Sequence, residues 1–316
     1  MSLNTKSEEG DPQVVDFWSA LEALPYLSFG NQDLTDNEVR ESIYKGWQDY
    51  IRLAPDVLYE SLTKDLPEGT NCALVFTNQG ASLCLSQPVY EEADADSITF
   101  TYSRDLSIED NKLISTNADI QVRHKNNNLG RVLQRNMIGT LRDIGCTSLS
   151  ATANNVGGYA WAKMGYIFNE AATSDSDKQQ FVSLLRERFA KVQTYLPAEM
   201  AQKARKNIGL VCSRDINALA DLDFSLNATL KDIFEAHPIN ACDALDNLFI
   251  RSALSFMHEM TDDYLTQDSQ KLWQKFNDCG QDYTLGKYLL LKTHWNSFLD
   301  FSNKTQVKRV EAYLGL

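Results

Sequence analysis

Between Val122 and Phe168 the chain reads VRHKNNNLGRVLQRNMIGTLRDIGCTSLSATANNVGGYAWAKMGYIF, and this stretch holds the residue types best suited to grip an anion. A short polar loop, His124 to Asn128, separates an expected strand from a helix expected to start at Gly130. A helix start exposes N–H groups without intrahelical partners and the positive end of the peptide dipoles, which suits a pyrophosphate. Lys125 and Arg131 flank the turn and would screen the remaining phosphate charge. Leu133, Met137, Leu141 and Ile144 recur at helical spacing and predict the buried stripe that fixes this helix. Taken alone, an Asn-rich loop before a helix is an ordinary turn, so the residues downstream decide its meaning.

The other reactive side chains are sparse. Of the four histidines, His237 and His294 lie outside any motif, while His124 adjoins the polar loop as a surface residue or a base. His258-Glu259-Met260-Thr261-Asp262 narrowly misses the helical zinc-protease pattern, because its fifth residue is Asp rather than a second His. No metal site is expected. The six cysteines (Cys72, Cys84, Cys146, Cys212, Cys242, Cys279) are widely scattered and mostly set among apolar neighbours. They read as free thiols of a reducing, cytoplasmic compartment, without disulfides.

The elements that must position the loop follow from the hydrophobic pattern. Residues 1–15, polar at first, read as a disordered leader, and 16–68 as a helical segment. There Thr35 to Glu38 fits a capping box ahead of Val39, Ile43, Trp47 and Ile51, and Pro55 opens a helix through Leu58 and Leu62. At Cys72 the period changes. Cys72–Phe76, Ala81–Leu85, Ile98–Tyr102 and Leu113–Val122 are β-rich runs, the last two expected to form a hairpin. A strand at Ser148–Ala153, a short helix ending at Gly165 and a strand from Tyr166 complete an α/β core over 69–176. Residues 177–284 read as a helical insertion. One stripe there is Phe181, Leu184, Leu185, Arg188, Val192 and Tyr195; Pro197 begins a second helix, and Ala241 to Tyr264 makes a long one. The tail, 285–316, is expected to pack back on the core, with Tyr288–Leu291 and Phe298–Phe301 extended and Lys304–Tyr313 helical.

An apolar fraction of 43% and a charged fraction of 23% place the chain among globular proteins. No apolar run reaches the roughly 18–20 residues of a membrane span, so no membrane partner is expected. The net charge of −13 is uneven. Residues 1–68 carry 5 basic and 14 acidic side chains, a balance of −9, which argues against nucleic acid. Residues 69–170 are close to neutral at −2, which lets a polyphosphate approach the loop.

With these elements in place, the stretch resembles the GNAT acetyltransferase superfamily over about 100 residues, roughly Cys72 to Ala171. The superfamily's coenzyme loop, Gln/Arg-x-x-Gly-x-Gly/Ala, is matched by Lys125-Asn126-Asn127-Asn128-Leu129-Gly130. Its later Asn, helical Tyr and Gly-Phe are matched in spacing by Asn154, Trp161 and Gly165-Tyr166. The resemblance implies a mixed, mainly antiparallel sheet with flanking helices, joined here to a mostly helical C-terminal extension. It implies acetyl-coenzyme A as cosubstrate and transfer of its acetyl group to an amine, on a protein or a small cationic molecule. The edge of the strand at Gln121–Arg123, with Val122, would pair with the pantetheine arm, and Lys125 to Arg131, with Asn154 and Trp161, would line the coenzyme. Asp119 and His124 are the nearest candidates for a base, and Tyr159 for the acid that protonates the thiolate.

Two positions depart from the pattern. Asn128 stands where the loop has its middle glycine, and Asn tolerates positive φ. Trp161 stands where the tyrosine acid is usual, and an indole N–H is far too weak an acid. The resemblance thus implies coenzyme binding more strongly than catalysis. A non-catalytic module that binds coenzyme A or a protein partner stands as the second reading. The tail from Leu285 to Phe301 also looks like the closing segment of longer GNAT-like proteins found with mobile elements, a mobile-element or effector context being a further reading.

Overall fold

A computed structural model describes residues 12–24, 26–77, 79–87, 100–122, 129–153, 157–211, 216–229, 282–291 and 293–316. The architecture is mixed α/β, with a mostly antiparallel sheet and helices. Two compact units are present: one runs to Leu149 and takes in 300–302 and 314–316, the other holds Ser150–Leu299 and Asn303–Tyr313. Among the described residues no helix is long and apolar enough to cross a membrane.

In the first unit, helix α1 is Pro12–Glu22 and a two-residue strand, β1, is Leu27–Ser28. Helix α2, Asn37–Gly46, continues into a π-helical turn, Trp47–Ile51, and helix α3 is Pro55–Thr63. Four strands follow, β2 (Asn71–Thr77), β3 (Gly80–Ser86), β4 (Phe100–Glu109) and β5 (Lys112–Val122). They pair in sequence as an antiparallel meander, with β1 parallel to β2. The β4–β5 hairpin expected from the sequence is present, and Asp110 and Asn111 turn it at φ 49° and 60°. Both central residues in the left-handed region give the turn whose twist matches the strands it joins.

Alternation along these strands splits the sheet into two faces. Cys72, Leu74 and Phe76, then Leu83 and Leu85, then Phe100, Tyr102 and Leu106 are buried. Helix α4, Leu129–Asp143, packs against α3 and β5 through Leu133, Met137 and Leu141, all fully buried. The Asn136 amide, buried on α4, donates to the carbonyls of Leu62 (3.1 Å) and Lys64 (2.6 Å). It thus satisfies the end of α3 that would otherwise be orphaned. Arg104 is also fully buried: its Nε donates to the Tyr102 hydroxyl (3.3 Å), which donates to Gln134 Oε1 (2.9 Å). The opposite face carries Ser82, Cys84, Ser103, Asp105 and Asp119, all at least partly exposed.

Strand β6 (Ser148–Ala153) begins in the first unit and runs on in the second from Ser150, where helix α5 (Gly157–Met164) and strand β7 (Ile167–Phe168) follow. Helices α6 (Asp175–Val192), α7 (Ala198–Leu210) and α8 (Ile216–Ala220) follow. After them come α9 (Leu285–Leu290), strand β8 (Trp295–Asp300) and α10 (Lys304–Leu314). Strand β8 is hydrogen-bonded between β6 and β7, with Ile167 opposite Phe298 and Phe168 opposite Ser297. Trp295 stacks on Phe168, ring centroids 5.9 Å apart.

Several expectations need correction. Helix α1 begins at Pro12, so residues 12–15 are helical rather than part of a leader; proline suits a helix start, where its missing N–H is not needed. Asp36, not Thr35, caps α2: its carboxylate accepts from the Glu38 N–H (2.8 Å), while Asp33 holds the Thr35 hydroxyl (2.7 Å). Helix α4 starts one residue before Gly130, and α6 two residues before Asp177 because Ser174 caps it. Tyr195 is 51% exposed on a separate 3-10 turn, while Phe189 takes a place in the buried stripe. Tyr288–Leu291 is not extended, since its first three residues belong to helix α9. An unbroken buried apolar run carries no period, so spacing could not tell strand from helix. The Ala241–Tyr264 helix, His237 and the His258 motif lie outside the described residues.

What makes α9 possible is Arg188 of α6, 1% exposed. Its Nη1 donates to the carbonyls of Tyr288, Leu289 and Leu291, and the Tyr288 hydroxyl donates back to the Arg188 carbonyl (3.0 Å). A cation at the negative end of a helix satisfies carbonyls and dipole together. The other end of α9 abuts α8 so closely that a Cβ on Gly286 would sit 2.6 Å from the Leu219 oxygen and 2.9 Å from that of Ala220. Gly286→Ala is therefore expected to destabilise the chain by about 1–3 kcal/mol. Helix propensity alone would stabilise it by about 0.5–1 kcal/mol, so the sign of the change in a urea titration decides between the two.

Candidate functional site

Strand β5 begins as an interior strand and ends as an edge. Ile114 and Ser115 pair, parallel, with Ser148 and Leu149, and the Thr147 N–H and hydroxyl both donate to the Leu113 carbonyl (2.8 and 3.0 Å). Two residues later the ladder breaks. Asp105 of β4 faces Thr116, but Ser103 faces Asp119, so β5 carries one extra residue, with Asn117 at φ 50°. A bulge bends its strand and sharpens the local twist, which ends regular pairing on one side. The Asn117 amide donates to Asp105 Oδ2 (2.9 Å) and holds the bulge in place. From there to Val122, β5 stays paired to β4, while no strand pairs with its other edge among the described residues. Unpaired N–H and C=O groups on such an edge are a template for any extended ligand.

Helix α4 supplies the second part. Leu129, 8% exposed, anchors its first residue, and no acidic side chain sits in the first turn, where Arg131 is the charged residue. Most helix starts favour a carboxylate there. Among the described residues a Cβ on Gly130 would meet nothing within 4 Å, so their packing does not demand glycine there. Of the expected site residues, Val122 ends β5, and Leu129, Gly130 and Arg131 open α4, all in the first unit. Arg123, His124, Lys125, Asn126, Asn127, Asn128 and Asn154 lie outside the described residues.

Asp119 follows the bulge, exposed on the polar face, and accepts from Gln121 Nε2 (3.1 Å). Across the strands it lines up with Ser103 and Cys84. Burial first, then the Asp119 charge, pushes the Cys84 thiol up, which lowers its thiolate fraction. Among the described residues no group of three or more His, Cys, Asp or Glu side chains could hold a metal.

Tyr159 and Trp161 belong to the second unit. Trp161 is 6% exposed and packs on Tyr166, centroids 4.8 Å apart, as a core aromatic. The Tyr159 phenol is pushed up to about 12, by burial first and then by Tyr313 and Asp221, against the opposing hydrogen bond with Thr284 and the Arg309 charge. A phenol raised in this way gives up its proton less readily than an ordinary tyrosine.

Next to Tyr159 lies a cluster that sequence reading missed. Asp221 accepts from Arg309 Nη2 with both oxygens (2.6 Å each) and from Lys163 Nζ (2.9 Å). These three residues are about 58 and 88 positions apart, and no local spacing announces them. The Asn117 bulge did leave a signal, since Asn is among the few side chains that tolerate left-handed backbone.

Burial would raise the Asp221 carboxyl, but the hydrogen bonds and charges of Arg309 and Lys163 outweigh it and hold it below its ordinary value. A depressed carboxylate contributes stability above its unfolded pKa, about 3.9, and loses it as pH falls through the folded value. Asp221→Asn is expected to lower stability by about 1 kcal/mol at neutral pH, the pair being partly exposed. The gap to wild type should close as the pH falls below about 3.9, measured by thermal melts across an acid series.

No family model, no curated protein and no solved structure matches this chain.

Proposed function

We propose that the chain binds acetyl-coenzyme A along the free edge of β5 and the start of α4, and transfers its acetyl group to an amine, as a divergent GNAT-like protein. The observation that carries this reading is the conversion of β5 from interior strand to open edge at Asn117, followed by an acid-free helix start where no described residue crowds Gly130. An open strand edge matches the amide-bearing pantetheine arm, and the helix start matches the pyrophosphate. The mostly antiparallel sheet also supports it.

In the reaction the neutral amine attacks the thioester carbonyl. The C–N bond forms, the C–S bond breaks, and the coenzyme leaves as thiolate. A backbone N–H near Val122 would polarise the carbonyl. Asp119 and His124 are the candidates to take the amine proton, directly or through water. With Trp161 in the core and the Tyr159 phenol weakened as an acid, water supplies the thiolate's proton. The same two aromatics favour a second reading, a module that binds the coenzyme without turning it over.

Acetyl-coenzyme A at millimolar concentration is expected to raise the melting temperature, since a ligand of the folded state stabilises it by mass action. Gly130→Glu should abolish that shift while leaving the free protein as stable as before, because a carboxylate suits a helix start and no described residue crowds it there. A folded wild type without any shift would remove the coenzyme site.

Turnover separates the two readings. Acetyl transfer to a small amine, followed by thiol release, should be detectable and unchanged in Tyr159→Phe. A loss of about 10²–10⁴-fold in that variant would return Tyr159 to the acid's role. Binding without any transfer would establish the non-catalytic module.

A further inference from the structure

Beneath the start of α4 lies a buried polar chain that joins helix to sheet. Tyr102 of β4 and Gln134 of α4 are both buried, and the Tyr102 hydroxyl donates to Gln134 Oε1 (2.9 Å). Arg104 Nε donates to the same hydroxyl (3.3 Å), and a guanidinium cannot accept, so the single phenol proton is left for Gln134. Burial pushes the Tyr102 phenol up, against the lowering effect of Arg104, which keeps that proton in place.

The two ends of this chain meet the two parts of the candidate site. Tyr102 pairs with Ile120, beyond the bulge, and Gln134 lies one helical turn past Gly130. The register also fixes which groups of β5 face its open edge. The Phe100 carbonyl accepts from the Gln87 N–H (3.1 Å), so the backbone groups of Phe100, and those of Tyr102 two residues on, turn toward β3. Ile120 and Val122 sit opposite them in β5 and therefore turn their N–H and C=O groups away from β4. Leu133 and Met137 hold α4 down, but apolar contact is non-directional and lets a helix slide or roll. A buried hydrogen bond, with its narrow range of distance and angle, does not.

We infer that Tyr102 and Gln134 are positioning residues, whose hydrogen bond sets the spacing between the outward groups of Ile120 and Val122 and the first turn of α4. This rests on the coenzyme reading above: one molecule must meet strand edge and helix start together, and each half binds better once the other is held at the matching distance. Where geometry is that strict, a misplacement of about 1 Å costs on the order of 10²-fold. Both side chains are buried, so they act through the elements they join and not by touching the ligand.

Calorimetric titration of the whole chain with coenzyme A and with its two halves, pantetheine and 3′-phosphoadenosine 5′-diphosphate, tests this. The product of the two half-molecule Kd values, divided by the Kd of coenzyme A, is the effective concentration that joining them provides. Gln134→Met, similar in length but a poor acceptor, is expected to lower that quotient by roughly 10–100-fold and to change the Kd of either half by less than about 3-fold. Tyr102→Phe, which removes the donor, should lower it likewise. Gln134→Glu keeps an acceptor for the hydroxyl and should hold the wild-type quotient, whatever its charge does to the nucleotide half. A quotient unchanged in Gln134→Met and Tyr102→Phe, lost equally in Gln134→Glu, or accompanied by weakening of both halves would overturn the positioning role and leave the coenzyme site standing. A folded wild type that binds none of the three would overturn both.

Discussion

One extra residue in β5 sets the terms for the first unit. A strand buried between two neighbours has every backbone group committed, and it can offer nothing to a ligand. Beyond the bulge at Asn117, β5 keeps its pairing to β4, while no strand pairs with its other edge among the described residues. There β4 holds the strand on one side, and no described strand holds it on the other. The side-chain hydrogen bond from Asn117 to Asp105 ties this bend to β4, and Asp105 also receives the Ser82 hydroxyl of β3. Three strands thus share in fixing where the edge opens.

Both units depend on buried arginines. Arg104 is shielded beneath α4 with Tyr102 and Gln134, and Arg188 is spent on the carbonyls that end α9. A buried guanidinium is expensive without partners, so each fixes its neighbours in one arrangement. For Arg188 the result is specific: a six-residue helix too short to stand alone is held by a side chain about 100 positions earlier in the chain. Burial accordingly pulls the Arg188 guanidinium below its ordinary value.

The sequence was most readable where one physical period governed a whole element. Ser148–Ala153 is the strand expected, and Leu133, Met137 and Leu141 form the buried stripe expected of α4, with Ile144 buried in the turn just after it. It was least readable where tertiary contacts chose the outcome. Tyr288–Leu291 is apolar throughout, and only Arg188 and Gly286 decide that it coils. Thr35 and Asp36 are both good caps, and a neighbouring aspartate, Asp33, settled the matter by capturing the threonine. At the candidate site, the strand end and the helix start were legible from residue types. The bulge was legible only in part: Asn117 tolerates left-handed backbone, but the one inserted residue switches the alternation from odd to even positions beyond it and so blurs the period of the strand. The weak acidity of Tyr159 depends on Thr284, Asp221, Arg309 and Tyr313, which no local window contains.

The place of β8 bears on how the chain is made. β6 and β7 are complete by Phe168, yet the strand that lies between them begins only at Trp295. At ribosomal rates of about 5–20 residues per second, the interval lasts roughly 6–25 s. During it, the edges of β6 and β7 that β8 will pair with wait for their partner. Nascent chains with such edges are prone to pair with one another. Late closure of this kind also raises the contact order and slows folding.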